Sequence, residues 1–132
     1  EIWSGTGLIR KAKGGFETLL FMNHLQDEKN ALYDSAYAVY MNGDTIDFVK
    51  NFSVQNNTRL LVLGDSFTDV VEPFLSLSVK EFDAIDLRCF TGSLETWIET
   101  HPKYDAVILL MNAGGIPSEI NYSGHANLWD FR

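Results

Sequence analysis

The chain has one cysteine, three histidines and three prolines in 132 residues. A lone Cys89 excludes an internal disulfide. Three widely spaced histidines without a cysteine pair leave no structural zinc pattern. No apolar run approaches the roughly 18 residues of a membrane span. Basic side chains are also scarce, ten against 18 acids, for a net charge of −8. Only Arg10, Lys11 and Lys13 cluster. Without a positive stripe the chain has no electrostatic footprint for nucleic acid, and an anionic membrane surface is disfavoured for the same reason. No G-x-G-x-x-G and no P-loop lysine occur, so neither a cofactor nor a nucleotide is expected. The acids near the inferred strand ends, such as Asp86, are too few for a Mg²⁺-dependent phosphoacceptor site at Asp65. There is no charged-then-apolar leader, and the first residue is Glu1. The chain therefore reads as processed, or as part of something longer.

What is present suits a globular core: 45% apolar and 21% charged residues, in a length sufficient for one domain. The character changes at residues 51–59, "NFSVQNNTR", a polar stretch rich in turn formers that reads as a loop. Beyond it, residues 60–63 are uniformly apolar and suit a strand buried on both faces. Residues 66–79 carry Phe67, Val70, Val71, Phe74, Leu75 and Leu77 at helical spacings, with Pro73 set to kink or split the helix. Residues 82–87 read as a second strand. Ser93 is a good N-cap for a helix over 94–100, with Glu95 in its first turn and Pro102 beyond its end. Residues 104–111 form a third apolar strand. This alternation predicts an α/β fold with a parallel sheet and helices on its faces.

Upstream, 16–21 reads as a strand and 23–33 as a short helix. Segments 37–41 and 45–49, joined by Asn42-Gly43-Asp44, read as a β-hairpin. The Gly-rich segment 113–132 is irregular. Phe67, Phe74, Phe82, Phe90, Trp97 and Tyr104 are assigned to the interior. Trp3 and Trp129 suit packing, with a sugar platform as the alternative.

The stretch "RLLVLGDSFTDVVEPFL", 59–75, carries the chemistry. Ligands of open parallel sheets bind beyond the carboxyl ends of the strands, where Gly64-Asp65-Ser66 would sit. A serine there is either a helix N-cap or a hydroxyl presented beside the free N–H groups of a helix start, where an oxyanion can be held. Asp65 reads as a turn-stabilising residue, because sequence neighbours point apart at a tight turn. Asn112 ends the third strand on the same edge; its amide either donates to an oxyanion or caps a turn.

Taken in order, several elements resemble the C-terminal half of the DHHW proteins, a branch of the SGNH/GDSL hydrolase superfamily similar to proteins that O-acetylate alginate. They are Gly64-Asp65-Ser66-Phe67, Pro73-Phe74-Leu75, Asp86-Leu87-Arg88 with Phe90, Gly92-Ser93-Leu94 and Tyr104-Asp105. Ser4-Gly5-Thr6 and the hairpin segment also look like the family, so the likeness runs over about residues 3–112. The resemblance implies a three-layer, mostly parallel, SGNH/flavodoxin-like sheet. It makes the chain the C-terminal part of a larger domain: a hairpin-containing region 1–58, a βαβαβ core 59–112 and a tail 113–132. It implies Ser66 as nucleophile, a polysaccharide or acyl donor as partner, and an extracytoplasmic or cell-surface setting in a bacterium.

A serine nucleophile needs an oriented base. The family's Asp-His-His-Trp motif precedes the serine block and is not in this chain. His24 lies in a polar stretch and reads as a surface residue. His101 precedes Pro102 at a helix end, where a cation suits the dipole. His125, in "YSGHAN", has the flavour of the superfamily's late histidine, but Tyr122 stands where an aspartate belongs. With His125 as the remaining candidate base, the chain by itself is expected to be inactive. A complete protein is expected to be a carbohydrate O-acetyltransferase or esterase. The alternative is a non-catalytic polysaccharide-binding or scaffold module of degenerate SGNH fold.

Overall fold

The computed structural model describes residues 2–4, 10–22, 39–41 and 46–113. Six strands form one sheet: β1 (Ile2–Ser4), β2 (Arg10–Ala12), β3 (Ile46–Lys50), β4 (Arg59–Gly64), β5 (Glu81–Asp86) and β6 (Ala106–Leu110). Their order across the sheet is β2-β1-β3-β5-β4-β6. Strand β4 runs parallel to β5 and to β6, with Gly64 level with Asp86 and with Leu110. Helices α1 (Phe67–Leu75) and α2 (Leu94–Thr100) connect them. The expected βαβαβ core over 59–112 is therefore formed.

The four strands β3-β5-β4-β6 form the mixed, mostly parallel sheet that was expected, with one antiparallel pairing and two parallel ones. Strand β3 joins β5 antiparallel, and β1 and β2 continue in antiparallel fashion. The sheet is thus mixed, with its parallel part confined to β5, β4 and β6. The predicted hairpin is corrected by the same pairings. Both edges of β3 are occupied, by β1 and by β5, so the preceding segment has no free edge to pair with. Tyr40 instead bridges Leu20. The predicted strand at 16–21 is a 3-10 turn, Phe16–Leu19, in which the Thr18 N–H and hydroxyl both donate to the Gly15 carbonyl. The Asn42-Gly43-Asp44 turn and the helix predicted over 23–33 fall outside the described residues.

Two apolar clusters lie on opposite faces of the sheet. One holds Val49, Leu60, Val62, Phe82 and Ala84 under Leu75 and Val79 of the α1 side. The other holds Ile46, Leu61, Leu63, Ile85, Leu87 and Phe90 against Leu94 and Trp97 of α2. A helix on each face matches the layering that the resemblance implied. The alternating side chains of β4 supply both clusters, which is why its sequence carries no polar position between Leu60 and Leu63.

Helix α1 is turned the other way from its apolar pattern. Its buried residues are Thr68, Asp69, Glu72 and Pro73, whereas Phe67, Val71 and Phe74 are exposed. Phe67 and Phe74 therefore leave the predicted interior. Phe74 packs instead on the Phe16 and Tyr40 rings, with centroids 5.7 and 6.4 Å away. Pro73 does not split the helix: it lies inside α1, which runs on to Leu75, and the chain to Val79 continues in turns. The loop after β3 is stitched to that end, with Asn51 Nδ2 donating to the Ser76 carbonyl and Asn56 Nδ2 to the Ser78 carbonyl, each at 2.8 Å. At α2 the Ser93 hydroxyl accepts from the Thr96 N–H as expected. No helix among the described residues is long and apolar enough to cross a membrane.

Candidate functional site at the strand ends

Three chain segments leave the sheet side by side at the carboxyl ends of β4, β5 and β6. They are Gly64-Asp65-Ser66, Asp86-Leu87-Arg88 and Met111-Asn112. Gly64 sits where the backbones come closest. A Cβ added there would lie 1.9 Å from the Leu110 carbonyl oxygen and 2.6 Å from Thr68 Cγ2. No other residue type fits, because backbone cannot yield as a flexible side chain can.

Asp65 is buried, and its carboxylate is fully engaged. Oδ1 accepts the Phe67 N–H at 3.0 Å. Oδ2 accepts the Asn112 N–H at 2.8 Å, across the strand gap. The Asp65 carbonyl takes both the Thr68 N–H and the Thr68 hydroxyl at 2.9 Å. Orphan donors at a helix start must be satisfied somehow. Here Asp65 and Thr68 take that role, and Ser66 does not: its side chain makes no capping hydrogen bond, and it is half-buried. The turn-stabilising role read for Asp65 is what the geometry contains. The alternative reading of Ser66 as an N-cap residue loses its hydrogen bond.

Asn112 lies on the Ser66 edge, as expected from its place after β6. Its backbone is held by Asp65 and its side chain is exposed. Asp86 is buried and gripped by Arg88. Nη2 stands 2.6 Å from Oδ2, Nε stands 3.1 Å from both oxygens, and the Arg88 N–H donates to Oδ1 at 2.7 Å.

Below this rim lies a feature that the apolar pattern hid. Asp47, Asp69, Glu72 and Asp86 are all nearly inaccessible. Burial, followed by the neighbouring charges of Asp47, Asp69 and Asp86, pushes the Glu72 carboxyl well above the ordinary carboxylate range, against a hydrogen bond from Thr68. Its surroundings therefore favour the neutral form of Glu72 over the carboxylate. Asp69 and Glu72 stand three apart, on one face of a helix; that spacing was the available signal.

The histidines divide. His101 closes α2, away from the Ser66 rim, near the start of β6. Its Nδ1 donates to the Trp97 carbonyl at 2.8 Å, and its ring stacks on the Trp97 indole with centroids 3.8 Å apart. His24 and His125, the candidate base, lie outside the described residues, as do Trp129 and the tail. At the same end as His101, Asp83 accepts from Arg59 Nη2 at 2.8 Å and from the Tyr104 hydroxyl at 2.5 Å. The Tyr104 hydroxyl also accepts from Trp97 Nε1. Burial first, then the bond to Asp83, pushes the phenol up to about 12. This network joins both strand starts to α2. No metal-ligating group of three or more acids, histidines or cysteines occurs among the described residues.

No protein-family model matches the chain, and no curated protein does. Solved structures do match. A DHHW family protein from Eubacterium siraeum DSM 15702 superposes with a TM-score of 0.62 at 24% identity, over 74% of this chain and 32% of that one. Bacillus cereus PatB1 superposes with a TM-score of 0.67 at 19% identity, over 87% of this chain and 36% of that one. The same protein with a sulfonyl adduct gives 0.53 at 27% identity, over 61% and 27%. The resemblance read from the sequence is thus met by structural similarity to a DHHW family protein and to PatB1. The chain spans about a third of the length of these relatives.

Proposed function

We propose that this chain carries the nucleophile part of an SGNH-type acyl-transfer site, with Ser66 as nucleophile and Asn112 as an oxyanion donor. In the complete protein the substrate would be an O-acylated or acyl-accepting carbohydrate. The observation that carries this reading is the Ser66 hydroxyl. It stands at the carboxyl end of β4, at a helix start, and is not spent on capping. That PatB1 has been obtained with a sulfonyl adduct supports it further, because such an adduct forms when a nucleophile attacks a sulfonyl electrophile.

The step is ordinary acyl transfer. Ser66 Oγ forms a bond to the acyl carbon while its proton passes to a base, His125 or an Asp-His pair of the complete protein. The carbonyl oxygen takes up negative charge facing backbone N–H groups and the Asn112 amide. The C–O bond to the leaving alcohol then breaks as the protonated base gives that oxygen the proton taken from Ser66. Water or a sugar hydroxyl resolves the acyl-enzyme, giving an esterase or an O-acetyltransferase respectively. Without the base, acid–base catalysis worth about 10²- to 10⁴-fold is lost. The relatives' bacterial surroundings and an extracytoplasmic setting belong to the same proposal.

A second reading, a binding module without turnover, is favoured by one observation: the only histidine among the described residues lies away from Ser66. A serine-directed fluorophosphonate separates the two. Labelling of the protein that disappears in Ser66→Ala supports acyl transfer. Unlabelled protein that still retains acetylated polysaccharide supports the binding module.

A further inference from the structure

The Asp65 carboxylate touches both the serine turn and the strand end bearing Asn112. It lies beside Ser66 in sequence and 47 residues before Asn112, yet its two oxygens each accept a backbone N–H from one of these places, at 3.0 and 2.8 Å. The residue is 5% exposed. Both bonds are part-buried, and a carboxylate acceptor makes such bonds roughly twice as strong as neutral ones. Gly64 brings β4 and β6 together just before this point, so the carboxylate spans a gap already narrowed to backbone contact.

We propose that Asp65 is a positioning residue. It sets the separation of Ser66 and Asn112, and so holds the oxyanion donor of β6 in register with the nucleophile of β4. This rests on the reading of those two residues given above. The chemistry needs both oxygens to be acceptors. Asparagine is nearly isosteric but presents one acceptor and one NH₂ donor. In Asp65→Asn one of the two N–H groups therefore faces another donor, and either the helix start or the Asn112 segment shifts. Misplacing an oxyanion donor acts on transition-state charge, not on ground-state binding.

Three measurements on the complete protein test this. First, in the unmutated protein the Asn112 and Phe67 amides should be protected from hydrogen exchange and shifted downfield. An unprotected Asn112 amide overturns the proposal whatever the variants do. Second, Asp65→Asn should lower kcat for a small acyl ester by roughly 10²-fold with KM changed less than about twofold. An unchanged kcat, or a loss carried by KM, overturns it. Third, because Asp65 acts through Asn112, adding Asp65→Asn to Asn112→Ala should cost less than about fivefold more. Full multiplication of the two losses overturns it. Fluorophosphonate labelling lost in Ser66→Ala is the separate control. If that control fails, the acyl-transfer reading falls while the Asn112 amide result still stands on its own.

Discussion

Strands β4 and β6 are written in the same alphabet. One is Leu60-Leu61-Val62-Leu63, and the other is Ala106-Val107-Ile108-Leu109-Leu110. They lie side by side in parallel register. Yet Leu61 is 0% and Val62 2% exposed, while Val107 is 55% and Leu109 45% exposed. The difference is position. Strand β4 has a partner on each edge and an apolar cluster on each face. Among the described residues, strand β6 ends the sheet. An apolar run states that a strand is suited to burial on both faces; it does not state what covers it. An exposed apolar edge strand is a surface ready to pair with further chain.

The largest effect should come from emptying the covered strand. Leu61→Ala is expected to destabilise by about 2–5 kcal/mol, while Leu109→Ala, the same deletion on β6, should cost well under half as much; paired urea melts read this difference directly. Equal losses would show that β6 is as buried in solution as β4. Next comes the seam between the two strands. Gly64→Ala drives a methyl into the Leu110 carbonyl and should cost roughly 1–3 kcal/mol, seen as a lowered Tm together with loss of amide protection along β6 and not along β5.

A smaller effect, of opposite sign, should come from the acid beneath β4's helix. Glu72 has a raised pKa in the folded state, so the fold favours its neutral form. Its contribution is fully present below the unfolded value of about 4.3 and is lost as pH rises above it. Glu72→Gln removes that loss and should raise stability at pH 8 by roughly 1 kcal/mol or more, with little gain at pH 4. Thermal melts at the two pH values check it, and an equal change at both would refute the assignment. The smallest change in stability is expected for Val107→Lys, within about 0.5 kcal/mol. The same urea melts read it, and a loss as large as that of Leu61→Ala would show that β6 is covered in solution.

Much of the parallel core was legible, for identifiable reasons. The apolar runs marked β4 and β6. Ser93 marked the start of α2, because capping acts locally. Elsewhere local signals lost to partners far away in sequence. The 16–21 segment had strand composition, but only Leu20 found a bridge, to Tyr40. The Asn-Gly turn signal implied a hairpin, but β1 and β5 occupy the edges of β3. The apolar stripe of α1 implied a buried face, but Asp69 and Glu72 point inward beside Asp47 and Asp86. The places of Ser66 and Asn112, just beyond the carboxyl ends of β4 and β6, were legible in the sequence. The Asp65 tie was not, since nothing in a sequence says which distant N–H a carboxylate will meet.

Taken alone, the order of residues settled what depends on neighbours within a few positions. It set where strands and helices run through 59–112, and that a hydroxyl and an acid follow Gly64. Tertiary structure alone decided the partners of β3, the inward face of α1, the exposure of β6 and the bond from Asp65 to Asn112. Backbone preferences and caps are local energies of about 1 kcal/mol. Pairing and burial are contests among all the surfaces the chain can bring together, and the winner depends on residues tens of positions away.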